Sequence, residues 1–379
     1  MSKYWTRYLL VGSFSIEKPE VIVRVKTSTY NRKSKTTLAY LVHIQNQSKV
    51  ITVEVGRTIL ESAIAQGIDY PHGCRSGNCG ACKSVLHEGD VEMSPYSEFA
   101  LTEEEKARGL ILACRSVPWS DCTVSPVDQD EMVVHASRRL LCKVSGLEQV
   151  THDTQIVRLA IEQGGPYDFS AGQYAEVTFG NLPARDFSMA NRPEQKILEF
   201  HVRRVQDGLV SPYINDHLDI GETVKVSGPL GTAYYREKHT GPIIAVAGGS
   251  GLAPIKSIVE TALVQGARQD ILLYFGVRDE RDIYLENYFN SLSSEHSNLN
   301  FIPILSEPLT DTKRRTGFLA DILEQDFSDL DGFKAYLAGP PIMVETSVKK
   351  LKHMEIRVQD IHADAFYTEA EKAVLEKSL

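Results

Sequence analysis

The sequence predicts a multidomain protein of mixed class, with a small α+β unit, an antiparallel β-barrel and a parallel α/β domain in that order. Three observations carry this. Short β-rich runs around one helix, "AYLVHIQ", "KVITVEV" and "TILESAIAQG", open the ordered part. Period-2 strands with turn signals and little helix follow, from "LLCKVSGLEQV" to "ETVKVSGPLG". Apolar strands then alternate with helical stretches, in "PIIAVAGGSGLAPIKSIVETAL", "DILLYFGVRD", "LNFIPILS" and "FKAYLAGP". A chain of 379 residues is long enough to hold several cores.

Residues 1–38 are basic and rich in Lys, Ser and Thr, and are expected to be a disordered tail; docking to an acidic partner is the alternative. The first 40 residues carry a net +6, which leaves −15 for the rest of a chain whose total is −9. That balance argues against general nucleic-acid binding. No run of 18 apolar residues occurs, so no membrane span is expected. The N-terminus lacks an apolar stretch followed by a small-residue cleavage site, so a cytoplasmic location is expected. Oligomeric state is not readable.

Residues 39–127 form the first unit. Two strands separated by "NQSK" make a hairpin signal, and "TILESAIAQG" is a helix that should stop at Gly67. "KSVLHEGDVEM" reads as two strands about Glu88-Gly89-Asp90, "TEEEKARGL" as a short helix with acids in its first turn, and "ILACRSVP" and "CTVSPV" as closing strands. This is a β-grasp pattern. Residues 128–137 read as a linker, 138–236 as a six-stranded antiparallel barrel, and 237–379 as the parallel α/β domain.

Six cysteines are too few for a disulfide scaffold, but three of them crowd into "PHGCRSGNCGACKS". The spacing is Cys74-x4-Cys79-x2-Cys82, then thirty-one intervening residues and Cys114. Zinc usually takes paired knuckles, two and two. Three plus one in a glycine-rich loop is the plant-type [2Fe–2S] spacing, because three ligands must come from one loop wrapping the cluster. A zinc-binding interaction protein is the competing reading. Cys122 and Cys142 fall outside the pattern and are expected to be inert.

At these residues the segment 41–127 resembles a plant-type ferredoxin, with "CRSGNCGAC" as the cluster loop and "LACRS" supplying the fourth cysteine. The later domains resemble the ferredoxin–NADP reductase superfamily. "ARDFSMAN" is similar to that family's Arg-x-Tyr-Ser motif. The resemblance implies that Arg185 binds the flavin pyrophosphate, Phe187 lies against the isoalloxazine and Ser188 sits near its N5. Phe stands where the family usually has Tyr. "HVRR" supplies His201 and Arg203 as flavin contacts. "DGLVSPYI" supplies Gly208 and Ser211 at a helix start, where backbone N–H groups suit a pyrophosphate. An ordinary helix cap is the alternative there.

"AVAGGSGLAPIKS" does not have the G-x-G-x-x-G spacing. It is similar to the superfamily's Gly-Gly-x-Gly-x-Ala-Pro turn, so Gly248, Gly249, Gly251 and Pro254 are implied to receive the nicotinamide cofactor's pyrophosphate. In "GVRDERDIYL", Arg278 could hold a 2′-phosphate and Asp279 a free 2′-hydroxyl. The crowding of Asp279, Glu280 and Asp282 favours NADH, with NADPH the alternative. "YLAGPPIMV" resembles the family's Cys-Gly-Pro-Pro strand end, placing Gly339 and Pro340 near the nicotinamide, with Ala338 replacing the cysteine. "HADAFY" resembles the terminal segment whose aromatic, here Phe366, lies by the flavin. Ser188, Phe187 and Phe366 are thus the expected catalytic residues.

The domain order resembles the reductase components of bacterial ring-hydroxylating dioxygenases and multicomponent monooxygenases. That implies an NADH-dependent oxidoreductase, carrying FAD and a [2Fe–2S] cluster, which passes electrons to a terminal oxygenase or a separate ferredoxin. A similar reductase serving deoxysugar formation, or a redox sensor or carrier without turnover, are the alternatives. Between residues 41 and 125, eleven Asp or Glu against seven Lys or Arg suggest a basic docking face on the partner.

Overall fold

The computed structural model describes residues 38–371 apart from 46, 47, 69, 74, 78, 79, 99, 128–132 and 134. The basic tail through residue 37, Cys74, Cys79 and most of the expected linker therefore lie outside the described residues.

The first unit contains β1 (Ala39–Ile44), β2 (Lys49–Glu54), α1 (Ile59–Ala65), β3 (Lys83–Glu88), β4 (Val91–Met93), α2 (Glu103–Ala107), β5 (Leu110–Leu112), β6 (Ser116–Pro118) and β7 (Cys122–Pro126). Strict alternation in β2 puts Ile51 and Val53 inside. Both helices start with a capping box, Thr58 with Glu61 and Thr102 with Glu105, which satisfies otherwise orphaned N–H groups. Gly67, at φ +71°, turns the chain just past the C-cap Gln66 of α1. Five strands pair in the order β2-β1-β7-β3-β5, and β4 pairs with β6 in a separate ribbon. The strands flanking Glu88-Gly89-Asp90 thus part into different sheets, because β5 and β7 occupy both edges of β3.

The second unit is made of β8 (Arg138–Gln149), β9 (Thr154–Gln163), β10 (Tyr174–Phe179), β11 (Arg185–Ser188), β12 (Ile197–Arg203), α3 (Val210–Asp216) and β13 (Thr223–Leu230). The order β11-β10-β13-β8-β9-β12 is antiparallel throughout, and a bridge between Met189 and Phe200 joins its ends. This is a six-stranded barrel around a core that includes Val177, Phe179, Phe200 and Val226.

The third unit is made of β14 (Ile243–Gly248), α4 (Leu252–Val264), β15 (Ile271–Val277), α5 (Glu286–Glu295), β16 (Leu299–Leu305), β17 (Arg315–Thr316), α6 (Leu319–Asp326), β18 (Lys334–Gly339), α7 (Pro341–His353) and β19 (Ile361–Ala365). All pairings are parallel, in the order β17-β16-β15-β14-β18-β19. β14 and β18 are buried along their whole length, as expected for strands covered on both faces. Strand order reverses between β14 and β18, and a ligand crevice forms at such a switch point, beyond the carboxyl ends of the strands.

Candidate functional site

In the first unit, Cys82 immediately precedes β3 and Cys114 follows β5, and both are buried. The Cys114 N–H donates to Cys82 Sγ at 3.4 Å, and the Ala113 N–H donates to the Cys82 carbonyl at 3.1 Å. Two cysteines of the expected set thus lie side by side at the ends of β3 and β5. The loop between them and the helix turns left-handed at Arg75, Gly77 and Gly80 (φ +56°, +80° and +73°). A Cβ on Gly80 would sit 2.9 Å from the Ala100 carbonyl oxygen, so the chain at Gly80 leaves no room for a side chain. A sulfur that accepts a backbone N–H beside a glycine turn fits a place in a [2Fe–2S] ligand set. Cys122 Sγ bonds the Ser120 and Asp90 carbonyls instead, and burial pushes its thiol up. Burial likewise raises the Cys142 thiol to about 11. Both stay protonated at neutral pH, as an inert thiol would.

On the barrel, β11 runs beside β10 with Ser188 opposite Tyr174 and Arg185 opposite Val177. Arg185 is partly exposed, and its guanidinium donates to the Ala184 carbonyl. Phe187 sets its edge against Phe179 and Phe200 while part of its ring stays open. Ser188 points to the other side of the strand, where its hydroxyl donates to Asp364 of β19 at 3.3 Å. Gly208 precedes α3, and the Ser211 hydroxyl accepts from the Val205 N–H, closing that loop.

The glycine turn lies at the switch point. Gly249 has φ +53°, and a Cβ on Gly248 would come within 2.8 Å of both Met343 Cε and Pro340 Cδ. A Cβ on Gly251 would collide with the Ala338 carbonyl. The backbone is left bare at the head of α4, which fits a dinucleotide pyrophosphate. Pro254 lies in the first turn of α4, where a missing N–H costs no helical bond. Gly339 and Pro340 end β18 beside this turn, and the Phe366 N–H donates to the Gly339 carbonyl at 2.9 Å. Ser188, Phe366, Gly339, Pro340 and Gly248 therefore converge on one crevice.

A belt of polar contacts joins barrel and sheet there. Ser257 donates to the Asn191 carbonyl at 2.7 Å. Lys256 reaches the Ala190 carbonyl, Glu199 and Glu260 at 3.2, 3.2 and 3.0 Å. His201 has no exposed side-chain surface, and its Nδ1 lies 3.0 Å from the Tyr284 hydroxyl, which donates to the Gly249 carbonyl. Burial lowers the His201 pKa and keeps the ring neutral, against a weaker upward pull from Glu199. Burial acts to raise the Glu199 carboxyl, but the His201 hydrogen bond and the Lys256 and Arg158 charges outweigh it and hold the pKa well below the usual carboxylate range. Arg203 Nε bonds Asp153 at 2.8 Å, and its guanidinium lies 3.4 Å from where a Cβ of Gly249 would stand. Arg278 follows β15 on the same edge. Sequence reasoning passed over Asp364, Tyr284, Lys256 and Asp153. Asp364, Tyr284 and Lys256 lie inside "HADAFY", "GVRDERDIYL" and "AVAGGSGLAPIKS", where nothing singled them out, and Asp153 lies in none of the quoted stretches.

Fold and site together define an iron–sulfur flavoprotein of the ferredoxin–NAD(P) reductase class. Three family profiles match in order: a 2Fe-2S iron-sulfur cluster binding domain over residues 42–118, an oxidoreductase FAD-binding domain over 141–235 and an oxidoreductase NAD-binding domain over 245–349. The chain is 39% identical over 326 residues to the ferredoxin–NAD(P)+ reductase component of a Pseudomonas putida naphthalene 1,2-dioxygenase system, covering 86% of this chain and 98% of that one. It is 33% identical to the phenol hydroxylase P5 protein of Acinetobacter pittii, covering 89% and 97%. Among solved structures, the reductase of an Amycolatopsis cytochrome P450 superposes with a TM-score of 0.70 at 35% identity, covering 86% and 98%. The ferredoxin reductase of a carbazole 1,9a-dioxygenase superposes at 0.63 and 27% identity, covering 88% and 100%. The chain belongs to the family of NAD(P)H-dependent reductase components of multicomponent oxygenases. No helix among the described residues is long and apolar enough to cross a membrane.

Proposed function

We propose that this chain takes electrons from NADH and delivers them, through FAD and a [2Fe–2S] cluster, to a terminal oxygenase or to that oxygenase's separate ferredoxin. The observation that carries the reading is the Ser188–Asp364 hydrogen bond, which closes the barrel's flavin strand onto the nicotinamide domain at its switch point. A bound flavin accepts electrons in a pair from a nicotinamide and releases them singly to an iron–sulfur centre.

The chain's own residues hold and orient these groups. Cys74, Cys79, Cys82 and Cys114 would ligate the cluster. Arg185, with Gly208 and Ser211, would hold the flavin pyrophosphate, and Phe187 and Phe366 would flank its ring. Ser188, held by Asp364, would present its hydroxyl to the flavin. Gly248, Gly249 and Gly251 would receive the nicotinamide cofactor's pyrophosphate, with Gly339 and Pro340 beside its ring. His201 and Arg203 act through the belt that joins the two domains.

The test is the visible spectrum of the purified protein before and after anaerobic NADH. A red-brown sample with flavin bands that bleach on NADH supports the reading, and reconstitution with oxygenase then identifies the acceptor. A sample that stays colourless after reconstitution with iron, sulfide and FAD overturns it.

A further inference from the structure

The strand end that should choose between NADH and NADPH is built unexpectedly. Asp279, the acid nearest the end of β15, is taken up by the fold: it caps the following turn, and its Oδ1 accepts the Leu309 N–H at 3.0 Å. Glu280 is bound by Arg314 and Thr312. The Arg278 and Arg281 side chains are 50% and 60% exposed, against 42% for Glu280. Within the loop, Arg278 meets a single carboxylate, Asp282, at 3.6 Å.

A second counter-charge comes from the other domain. Asp153 sits in the turn between β8 and β9 of the barrel. Its Oδ2 lies 2.8 Å from Arg203 Nε and 3.7 Å from Arg278 Nη2. Its Oδ1 accepts from the Thr151 and Thr154 hydroxyls at 2.9 and 3.1 Å, which fixes the carboxylate in place. Asp282 completes the group, 3.6 Å from Arg278 Nε and 3.5 Å from His152 Nδ1. Two arginines thus meet two aspartates, directly beside Gly249. His152, Asp153 and Asp282 also approach one another closely enough to suggest a cation site. The two guanidiniums already sit against those carboxylates, so a divalent ion would have to displace them.

We propose that Asp153, a residue of the flavin barrel, excludes NADPH by neutralising Arg278 of the nicotinamide domain. This rests on the nicotinamide reading of the crevice given above. A 2′-phosphate carries more than one negative charge, and here it meets an arginine already paired and two carboxylates that repel it. A free 2′-hydroxyl has no such conflict, and the carboxylates offer it acceptors. The selectivity is therefore a property of the assembled domains. Burial works to raise the Asp153 carboxyl, but the Arg203 hydrogen bond and charge overcome it and hold its pKa below the usual range, so the group stays anionic at working pH.

The experiment is calorimetric titration of the flavin-loaded full chain with 5′-ADP and with 2′,5′-ADP, which differ only in the 2′-phosphate. Asp153→Asn keeps the shape and the hydroxyl contacts but removes the charge. It should raise the ratio of 2′,5′-ADP to 5′-ADP affinity by about tenfold or more, the scale of one ionic contact in a partly exposed site. The NADPH-to-NADH ratio of kcat/KM should follow. Adding Arg278→Gln should abolish the gain, and Arg278→Gln alone should push the ratio below that of the wild type. The single Arg278 variant is informative even if Asp153→Asn fails to fold, because Arg278 is half exposed. Both nucleotides binding with a ratio unchanged by either substitution would overturn the proposal alone. Failure of the wild type to bind either nucleotide would overturn the nicotinamide reading and the proposal with it.

Discussion

At the scale of single residues, Gly251 shows how little freedom the crevice has. It stands where α4 meets β18, and the Ala338 carbonyl fills the space a side chain would need. Gly251→Ala must push the turn away from the strand, an overpacking that costs roughly 1–3 kcal/mol. The larger effect should be functional, because the N–H groups of the turn would move relative to the cofactor. A misplacement of this kind lowers kcat/KM for NADH by on the order of 100-fold. FAD content and the iron–sulfur spectrum should stay as in the wild type, and stopped-flow reduction with NADH reads the difference. Equal reduction rates would remove the turn from the binding site. The glycines were legible in the sequence because a bare backbone at a helix head leaves a local signature. The same holds for Cys82 and Cys114, whose ligand chemistry demands fixed offsets. Asp364 and Tyr284 were not legible as site residues. They act through partners 176 and 83 positions away, Ser188 and His201, and no local pattern encodes such pairings.

At the scale of elements, β18 and β19 hold the far side of the crevice, and their pairing depends on buried polar groups. Lys334 Nζ bonds Asp360 Oδ1 at 2.8 Å with both side chains almost fully buried, and Arg357 bonds the other oxygen. Removing the acid leaves a lysine in a dry interior, so Asp360→Ala should destabilise the α/β domain by about 3–5 kcal/mol in chemical denaturation. A loss under about 1 kcal/mol would mean that Lys334 finds solvent or another partner. On the same strand pair, His362 stacks on Tyr336 with centroids 5.2 Å apart. Burial, reinforced by Arg236, Lys334 and His239, holds its pKa well below the ordinary histidine value. The unfolded chain binds a proton near pH 6.5 that the folded chain refuses. The stabilisation is therefore complete above about pH 6.5 and declines as the pH falls, by up to about 1.4 kcal/mol per pH unit. His362→Phe should flatten the acid side of a stability-against-pH curve by about that slope. An unaltered slope would show that His362 takes up its proton in the folded state. Period-2 and α/β alternation made these strands readable, whereas the two-sheet split of the first unit was not, because strand pairing is settled by competition for the edges of β3.

At the scale of the whole molecule, four hydrophobic clusters stand among the described residues, and the one that holds Cys82 and Cys114 draws its residues from the first unit alone, whereas a cluster of the sheet takes in Ala171 and Tyr235 of the barrel segment. The barrel and the α/β domain, by contrast, are interlocked by Ser188–Asp364, Ser257–Asn191 and His201–Tyr284. The first electron-transfer step should therefore be independent of the cluster, and the last should not. Cys114→Ser removes one of the four expected ligands while leaving a small polar group under β5. The visible bands of the cluster should disappear, flavin reduction by NADH should keep its wild-type rate, and NADH-driven reduction of a one-electron protein acceptor should fall to background. Ferricyanide, which a reduced flavin can serve directly, should still be reduced. Loss of flavin reduction together with the cluster bands would mean that the ferredoxin unit is needed to hold the nicotinamide crevice in shape, and the three-domain electron path would have to be treated as one cooperative structure.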